Sequence, residues 1–319
     1  MIMPNSKMPI PHHISQEAQD FLTPTITTNE QDLAPQSTEE WLSFVEASNA
    51  NYAPFVEAIA SSPDVTIEKT IIAGVTVRII TPKILPENKK NKMLINLHGG
   101  GYVMLGGDQS IMEAVGMALA GQFRVISVDY RMPPIHPFPA AVNDGLAVYE
   151  SLLTEYGAEN IALFGASAGG GLSAAVTLQA RDQGLPMPAC LALNTPWSDL
   201  NKIGDSYFSN HGVDPVLSSY DGWLSHMAEI YAGKAGFDHP LVSPVYADYS
   251  SGFPPSILIS GTRDLLLSCT VRLHRRLRDA NIEAELHVFE AMWHGFMAMP
   301  EGQQANQETI HFFEKHFKL

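Results

Sequence analysis

Short apolar segments typical of strands alternate with helix-like segments along most of the chain. The strand-like segments span residues 93–97, 123–130, 161–164, 190–193, 256–260 and 284–289, and the helix-like segments span residues 111–120, 140–156, 168–183 and 269–280, with a last helix from residue 303. Ahead of them, residues 65–72 and 75–81 are rich in β-branched residues and predict an antiparallel strand pair at a sheet edge. Parallel strands need crossover connections, which are usually helices. The alternation therefore predicts a doubly wound α/β fold, with a mostly parallel sheet that is covered on both faces.

Two stretches of the chain depart from this alternation. Residues 1–60 and 195–253 carry apolar side chains at helical spacing among many loop residues. Amphipathic helices of this kind need another surface to cover their apolar face. We therefore predict an α/β core formed by residues 61–194 and 254–319, with a helical cap formed by residues 1–60 and 195–253.

Composition and charge exclude several classes of protein. With 45% hydrophobic and 17% charged residues among 319, the chain can bury a large core. Its 19 Lys and Arg residues against 34 Asp and Glu residues give a formal net charge of −15. Because such a charge repels phosphate backbones, we expect no nucleic-acid partner and a neutral small-molecule substrate.

The N-terminal region and the cysteines bear on the cellular location. Residues 1–21 contain no apolar stretch of the length found in signal peptides, and no run approaches the roughly 18 apolar residues of a membrane span. Cys190 and Cys269 are too few for a disulfide framework in a chain of this size. We therefore predict a cytoplasmic protein without a membrane span, in which both thiols are free and buried.

Residues 165–169 have the sequence Gly-Ala-Ser-Ala-Gly and join a strand-like segment to an alanine-rich helix-like segment. This G-x-S-x-G pattern in a strand–turn–helix context predicts a nucleophile elbow. Small residues are needed two positions before and after Ser167, because the turn is so sharp that a Cβ would collide with neighbouring backbone. The serine then lies at a helix N-terminus, which favours developing negative charge. The alternative is a helix start that Ser167 merely caps.

Residues 98–101 have the sequence His-Gly-Gly-Gly and directly follow the strand-like segment 93–97. Consecutive glycines let backbone N–H groups face a ligand without obstruction by side chains. This motif is typical of oxyanion-hole loops, and we predict the N–H groups of Gly100, Gly101 and Ala168 as the donors. His98 is predicted to anchor the loop rather than to take part in the chemistry.

An activated serine needs a histidine base that is oriented by a carboxylate, and in a fold of this kind the acid precedes the histidine along the chain. Asp264 and His294 each follow a predicted strand, and the carboxyl ends of parallel strands meet at one edge of a sheet. Ser167, Asp264 and His294 are therefore the predicted catalytic triad. The rival acids are Asp279, Glu283 and Glu290. A solvated or helix-capping role is the other interpretation of Asp264.

The sequence lacks the patterns of nucleotide and metal sites. Neither glycine loop has the form G-x-G-x-x-G, and G-x-x-x-x-G-K-[ST] does not occur. Twelve histidines are present, but without H-E-x-x-H or a Cys/His cluster at ligand spacing. We therefore predict no metal and no nucleotide cofactor.

With these residues in place, the chain resembles the hormone-sensitive-lipase-like family of bacterial esterases between residues 93 and 296. Besides the two glycine motifs, residues 129–131 (Asp-Tyr-Arg), 136–140 (His-Pro-Phe-Pro-Ala) and 196–200 (Pro-Trp-Ser-Asp-Leu) are similar to that family's segments. The resemblance implies an α/β-hydrolase fold with a helical cap, no cofactor, hydrolysis of short acyl esters or related lactones, and often a homodimer. It supports the same triad and the same oxyanion donors.

The chain departs from the family's pattern at two positions. The family commonly has Asp or Thr where Ala166 precedes the serine, and a Pro-Glu pair where Pro134 and Ile135 stand here. Both departures remove polar groups, which leaves the triad chemistry intact but bears on local hydrogen bonding and substrate choice.

The expected reaction is hydrolysis of short- to medium-chain acyl esters through an acyl-enzyme on Ser167. A lactonase or deacetylase with the same triad, an acyltransferase that excludes water, and a non-catalytic receptor on the same scaffold are the alternatives. Aromatic residues in or near the predicted cap are candidates for the substrate pocket, although an ordinary role in the core of the cap is the alternative for each. These candidates are Tyr102, Trp197, Phe208, Trp223 and Phe296.

Overall fold

The structure is a computed structural model that describes residues 8–24 and 35–319. Residues 1–7 and 25–34, which belong to the predicted cap, lie outside the described residues. The strands are β1 Val65–Ile72, β2 Val75–Pro82, β3 Met93–Leu97, β4 Arg124–Val128, β5 Ile161–Ala166, β6 Cys190–Asn194, β7 Ser256–Gly261 and β8 Ala284–Phe289. The helices are α1 Gln16–Leu22, α2 Thr38–Ala60, α3 Ile111–Gly121, α4 Ala140–Tyr156, α5 Ala168–Asp182, α6 Ser206–Ser209, α7 Trp223–Ala232, α8 Leu267–Asp279 and α9 Pro300–Phe317.

The strands form one sheet in the order β1-β2-β4-β3-β5-β6-β7-β8. From β4 to β8 along this order, neighbouring strands are parallel, whereas β2 pairs antiparallel with both β1 and β4. The predicted edge pair and the predicted mostly parallel sheet are therefore confirmed. The carboxyl ends of the parallel strands lie at the same edge of the sheet, and the loops that follow them can converge there.

Both faces of the sheet are buried. In β5, Ile161 and Leu163 belong to a core cluster that includes residues of α4, α5 and α8, whereas Ala162 and Phe164 belong to the opposite cluster with residues of α1, α3 and α9. Because successive side chains of a strand point to opposite faces, a strand covered on both sides is apolar throughout rather than alternating. This explains the continuous apolar segments in the sequence.

Some element boundaries differ from those predicted. Helix α9 begins at Pro300 rather than at residue 303, because proline is well suited to the first helical position, where its missing N–H has no helical acceptor. Strand β4 ends at Val128 rather than at residue 130. Beyond it, the Asp129 carboxylate accepts hydrogen bonds from the Gly107 N–H group at 2.8 Å and from Arg78 at 3.1 Å, so it joins β2 to the loop that follows β3.

Two helices of the predicted cap segments, α2 and α7, pack near the loop after β3. Helix α2 begins with a capping box, in which the Ser37 side chain accepts from the Glu40 N–H group and the Glu40 carboxylate accepts from the Ser37 N–H group. Trp41 of α2, Val103 of the loop and Met227 of α7 form a separate buried apolar cluster. Residues far apart in the sequence therefore converge over the His-Gly-Gly-Gly motif.

Within residues 8–24 and 35–319, no helix is long and apolar enough to cross a membrane. Cys190 and Cys269 are both buried and free, as predicted.

Candidate active site

Ser167 lies in the sharp turn between β5 and α5. Its backbone has φ 57° and ψ −124°, a strained conformation for a residue with a side chain. A methyl group at Gly165 or at Gly169 would lie 2.2 Å or 1.9 Å, respectively, from the carbonyl oxygen of Leu97. The two flanking glycines are therefore required by close approach to β3, which is the physical basis expected from the motif.

Hydrogen bonds from β6 and the loop after it fix the position of this turn. The Ser167 N–H group donates to the Asn194 carbonyl at 2.9 Å, and the Ser167 carbonyl accepts from the Trp197 N–H group at 2.9 Å. The residue itself is partly exposed, although the residues on its C-terminal side are buried. A rigid backbone thus presents an accessible hydroxyl group.

Asp264 lies in the loop after β7, and its side chain is fully buried. One of its carboxylate oxygens, Oδ1, lies 3.0 Å from His294 Nδ1 and accepts a hydrogen bond from the Leu266 N–H group at 2.9 Å. The other oxygen, Oδ2, accepts from the Ser260 hydroxyl at 2.6 Å. These contacts hold the proton of a neutral His294 ring on Nδ1, which leaves Nε2 as the basic nitrogen.

His294 lies in the loop after β8 and is also buried. Burial alone lowers the pKa of the ring, but Asp264 opposes it by charge and hydrogen bonding, and the charges of Asp214 and Glu113 act in the same direction as Asp264. The net effect raises the pKa of His294 above its ordinary value. The three carboxylates therefore stabilise the protonated imidazolium, which is the form that a general base takes once it has accepted a proton.

The rival acids lie elsewhere. Asp279, Glu283 and Glu290 are exposed, and the first two pair with surface cations, Asp279 with Arg275 and Glu283 with Lys315, each at 2.7 Å or less. Among the acids considered from the sequence, Asp264 is the one in contact with a histidine ring in the loop after β8.

The His-Gly-Gly-Gly loop turns sharply after β3. Gly100 has φ 105° and Gly101 has φ 62°, which are conformations that favour glycine. The Gly100 carbonyl accepts from the N–H groups of Val103 and Met104 at 3.0 Å and 2.8 Å. A methyl group at Gly100 would lie 2.3 Å from the carbonyl oxygen of Met104. The loop therefore depends on glycine for its backbone path.

His98 forms part of the wall behind this loop. Its ring stacks on Tyr130, with centroids 4.2 Å apart, and its Nδ1–H group donates to the Gly99 carbonyl at 2.8 Å. The Tyr130 hydroxyl donates to the His98 carbonyl at 2.7 Å. Burial lowers the pKa of His98 to about 4, so the ring is neutral at pH 7. These contacts fit the anchoring role expected from the sequence.

A carboxylate of the predicted cap also contacts the site. Asp214 is fully buried, and its Oδ2 accepts hydrogen bonds from the backbone N–H groups of Leu265 at 2.8 Å and of His294 at 3.2 Å. Burial and the charge of Asp264 raise the pKa of Asp214. Asp214 thus joins the loops that carry the acid and the histidine. Sequence reasoning missed it, because no motif marks a carboxylate that acts through backbone amides.

A second carboxylate that the sequence did not indicate lies behind the two glycine motifs. Glu113 is on α3, and its Oε1 accepts from the Gly99 N–H group at 2.8 Å. Its Oε2 accepts from the Ala166 N–H group at 3.0 Å and from the Asn96 side-chain amide at 3.2 Å. Burial raises the pKa of Glu113 to about 7, although these three hydrogen bonds favour the ionised form.

The five aromatic candidates for a substrate pocket occupy different environments. Tyr102, Trp197 and Phe296 are buried at 1%, 0% and 1% exposure, Trp223 is partly buried, and Phe208 is 64% exposed. Tyr102 stacks on Tyr231 of α7, with ring centroids 3.7 Å apart. Trp223 packs against the apolar cluster over the loop. A role in substrate binding stays a prediction for all five.

Comparisons with known proteins point to one family. A family model described as the alpha/beta hydrolase fold matches residues 94–298. An acetyl-hydrolase from Streptomyces hygroscopicus is 34% identical over 231 residues, which cover 70% of this chain and 75% of the relative. The solved structure of an esterase E25 has a TM-score of 0.94 and 38% identity, covering 99% of this chain and 98% of its own. An esterase of the bacterial hormone-sensitive lipase family has a TM-score of 0.80 and 30% identity, covering 90% and 94%.

The sheet topology and the elbow define an α/β-hydrolase. The chain belongs to the hormone-sensitive-lipase-like family of bacterial esterases within that fold. It is accordingly a hydrolase of carboxylic esters, of the serine carboxylesterase class.

Proposed function

We infer that Ser167 is the nucleophile, His294 the general base and Asp264 the acid of a catalytic triad. The observation that carries this assignment is the buried Asp264–His294 pair, 3.0 Å apart, in loops at the sheet edge where the strained turn presents Ser167. In the proposed reaction, the Ser167 hydroxyl oxygen bonds to the ester carbonyl carbon while its proton passes to His294 Nε2. The leaving alcohol takes that proton as the ester bond breaks. Water then attacks the acyl-enzyme by the same route and frees the serine.

The N–H groups of Gly100, Gly101 and Ala168 are the proposed oxyanion-hole donors. Ala168 is the first residue of α5, so its N–H group has no helical acceptor and lies at the positive end of the helix. The positive φ values of Gly100 and Gly101 support a backbone path on which N–H groups, rather than side chains, face a ligand. Donors held in this way stabilise charge that develops on the carbonyl oxygen.

The division into an α/β core of residues 61–194 and 254–319 and a cap of residues 1–60 and 195–253 is part of the proposal. The apolar cluster of Trp41, Val103 and Met227 supports it, because it joins both predicted cap segments to the oxyanion loop. A cytoplasmic location and a homodimer stay predictions from the sequence.

The proposed substrates are short- to medium-chain acyl esters. The helix α7 leaves little room beside the oxyanion loop, since a methyl group at Gly101 would lie 2.7 Å from Met227 Sδ. The stacked pair of Tyr102 and Tyr231 fills the space next to it. Two relatives are named acetyl-hydrolases, one from Streptomyces hygroscopicus and one from Mycobacterium tuberculosis, which fits a small acyl group.

The test of substrate size is hydrolysis of p-nitrophenyl esters from acetyl to dodecanoyl. We expect kcat/KM to be highest for the short chains and to fall by about tenfold or more at dodecanoyl, because a long chain has to displace packed side chains of the predicted cap. A maximum at the longest chain would contradict the proposed pocket. A parallel series of lactones and acetylated amines decides between open-chain esters and the lactonase or deacetylase alternatives.

The pH dependence of the reaction follows from the pKa of His294. The base has to be neutral to accept the Ser167 proton, and its folded-state pKa is raised. Activity should therefore be lost as the pH falls through a value above about 6.5, the ordinary pKa of histidine. The measurement is kcat/KM against pH for p-nitrophenyl acetate. An acid limb well below pH 6.5 would count against this assignment.

A further inference from the structure

Glu113 connects the two backbone segments on which the proposed chemistry depends. Its Oε1 accepts from the N–H group of Gly99, which precedes the proposed donors, and its Oε2 accepts from the N–H group of Ala166, which precedes the nucleophile. We propose that ionised Glu113 is a positioning residue, which holds the oxyanion loop and the nucleophile turn in register for ester hydrolysis. This proposal rests on the proposed function.

The proposal requires a carboxylate rather than another polar group. Three N–H donors, from Gly99, Ala166 and the Asn96 side chain, converge on the two oxygens of Glu113. An ionised carboxylate is acceptor-only and satisfies all three. An amide at this place has only one oxygen and turns its NH₂ group toward at least one of the N–H groups, which then loses its acceptor. A protonated carboxyl keeps two oxygens, but it has a donor in place of one acceptor site and lacks the charge that strengthens all three hydrogen bonds.

The position of Glu113 explains how weaker hydrogen bonds to its carboxylate would lower the rate of the reaction. The oxyanion loop and the nucleophile turn belong to different strand ends, β3 and β5, and a methyl group at Gly99 would lie 3.0 Å from the Ala166 carbonyl oxygen and 3.2 Å from Glu113 Oε1. The carboxylate is thus in direct contact with both segments. Oxyanion donors act through preorganisation, so that small displacements of a loop relative to the nucleophile lower kcat more than they affect KM.

The ionisation of Glu113 falls in the working pH range. Burial raises its pKa to about 7, while the three hydrogen bonds and the charge of a protonated His294 favour the ionised form. The titratable groups that act electrostatically with it are His294 and Tyr130. The carboxylate in turn raises the pKa of His294. Two effects on the acid limb of activity therefore have opposite signs. If the reaction requires ionised Glu113, a rise in the pKa of Glu113 moves the limb to higher pH. Loss of the Glu113 charge lowers the pKa of His294 and moves the limb to lower pH.

The first test is Glu113→Gln, which keeps the side-chain size and removes the charge. We expect kcat for p-nitrophenyl acetate to fall by about 10- to 100-fold, with KM changed by less than about threefold. The remaining activity should have its acid limb at lower pH than the wild type, because the variant lacks a negative charge that raises the pKa of His294. Thermal unfolding reports whether the fold is retained. The matched control is Glu150→Gln at an exposed position on α4, which should leave kcat and the pH profile unchanged.

The second test is Asn96→Leu, which keeps Glu113 but removes one of its donors. Asn96 is buried in β3, and its Oδ1 has no hydrogen-bond partner among the described residues, so an apolar side chain relieves one unpaired group. With one donor fewer, the pKa of Glu113 rises further. If ionised Glu113 is required, the acid limb of kcat moves to higher pH. If His294 alone sets the limb, neutralising Glu113 moves it to lower pH.

The outcomes separate the two proposals. A folded Glu113→Gln variant with kcat within about twofold of the wild type would overturn the role of Glu113, as would an Asn96→Leu profile that is unmoved or shifted to lower pH. If the glutamine variant does not fold, the profile of the leucine variant decides. A wild type that neither hydrolyses the ester nor reacts with a fluorophosphonate at Ser167 would instead refute the proposed function.

Discussion

Ser167→Ala should lower kcat for p-nitrophenyl acetate by about 10⁴-fold or more and abolish covalent labelling by a fluorophosphonate. The proposed acyl-enzyme forms on the Ser167 oxygen, and no other group in the proposed mechanism can carry it. Any remaining rate would come from oxyanion stabilisation and substrate binding alone. The measurements are initial rates and the mass of the intact protein after treatment with the probe.

The stability of this variant should hardly change. Alanine accepts the backbone conformation at φ 57° about as poorly as serine does, and the site is partly exposed, so the free energy of unfolding should stay within about 1 kcal/mol of the wild type. Ser151→Ala, at an exposed position on α4, is the control and should keep both turnover and labelling. Turnover by Ser167→Ala above about one tenth of the wild-type rate would exclude this serine as the nucleophile.

The fold and the proposed triad could be predicted from the sequence, because local residue patterns indicate them. Strands of a doubly covered sheet are apolar throughout, which makes segments such as 161–164 recognisable without any partner. The glycines around Ser167 report a close approach to Leu97, which is a constraint that only small residues satisfy. Strand order and the parallel arrangement then bring the loops of Asp264 and His294 to one edge of the sheet.

The two carboxylates behind the site, Glu113 and Asp214, could not be predicted from the sequence in this way. Glu113 contacts Ala166 across 53 positions and Asp214 contacts His294 across 80, and both act on backbone amides that every residue type has. No residue pattern encodes such a contact, so only the folded chain shows it. The aromatic candidates show the same limit. Trp197 and Phe208 were equal candidates from the sequence, but tertiary packing buries the first fully and leaves the second 64% exposed.

Asp264→Asn should lower kcat by about 10³- to 10⁴-fold while the protein remains folded. The carboxylate raises the pKa of His294 through its charge and a hydrogen bond, and it stabilises the imidazolium that forms when Ser167 loses its proton. Asparagine keeps the size of the side chain, and one orientation of its amide can still accept from the Leu266 backbone N–H group and the His294 ring Nδ1–H group, while the NH₂ group donates to the Ser260 hydroxyl oxygen. The charge is lost in either orientation. The acid limb of the remaining activity should therefore move to lower pH, which a profile of kcat/KM would measure.

The chain offers matched controls for this substitution. Asp279→Asn and Glu290→Gln remove one charge each at exposed positions and should leave both the rate and the pH profile unchanged. An overall charge effect on a protein of net charge −15 would change the rate and the pH profile of all three variants in the same way. If Asp264 is the triad acid, only its own variant changes. If Asp264→Asn kept activity within about tenfold of the wild type, with its acid limb in place, another group would have to orient His294. Asp214 would then be the carboxylate to substitute next, because it accepts from the backbone N–H group of His294 and its charge raises the pKa of the ring.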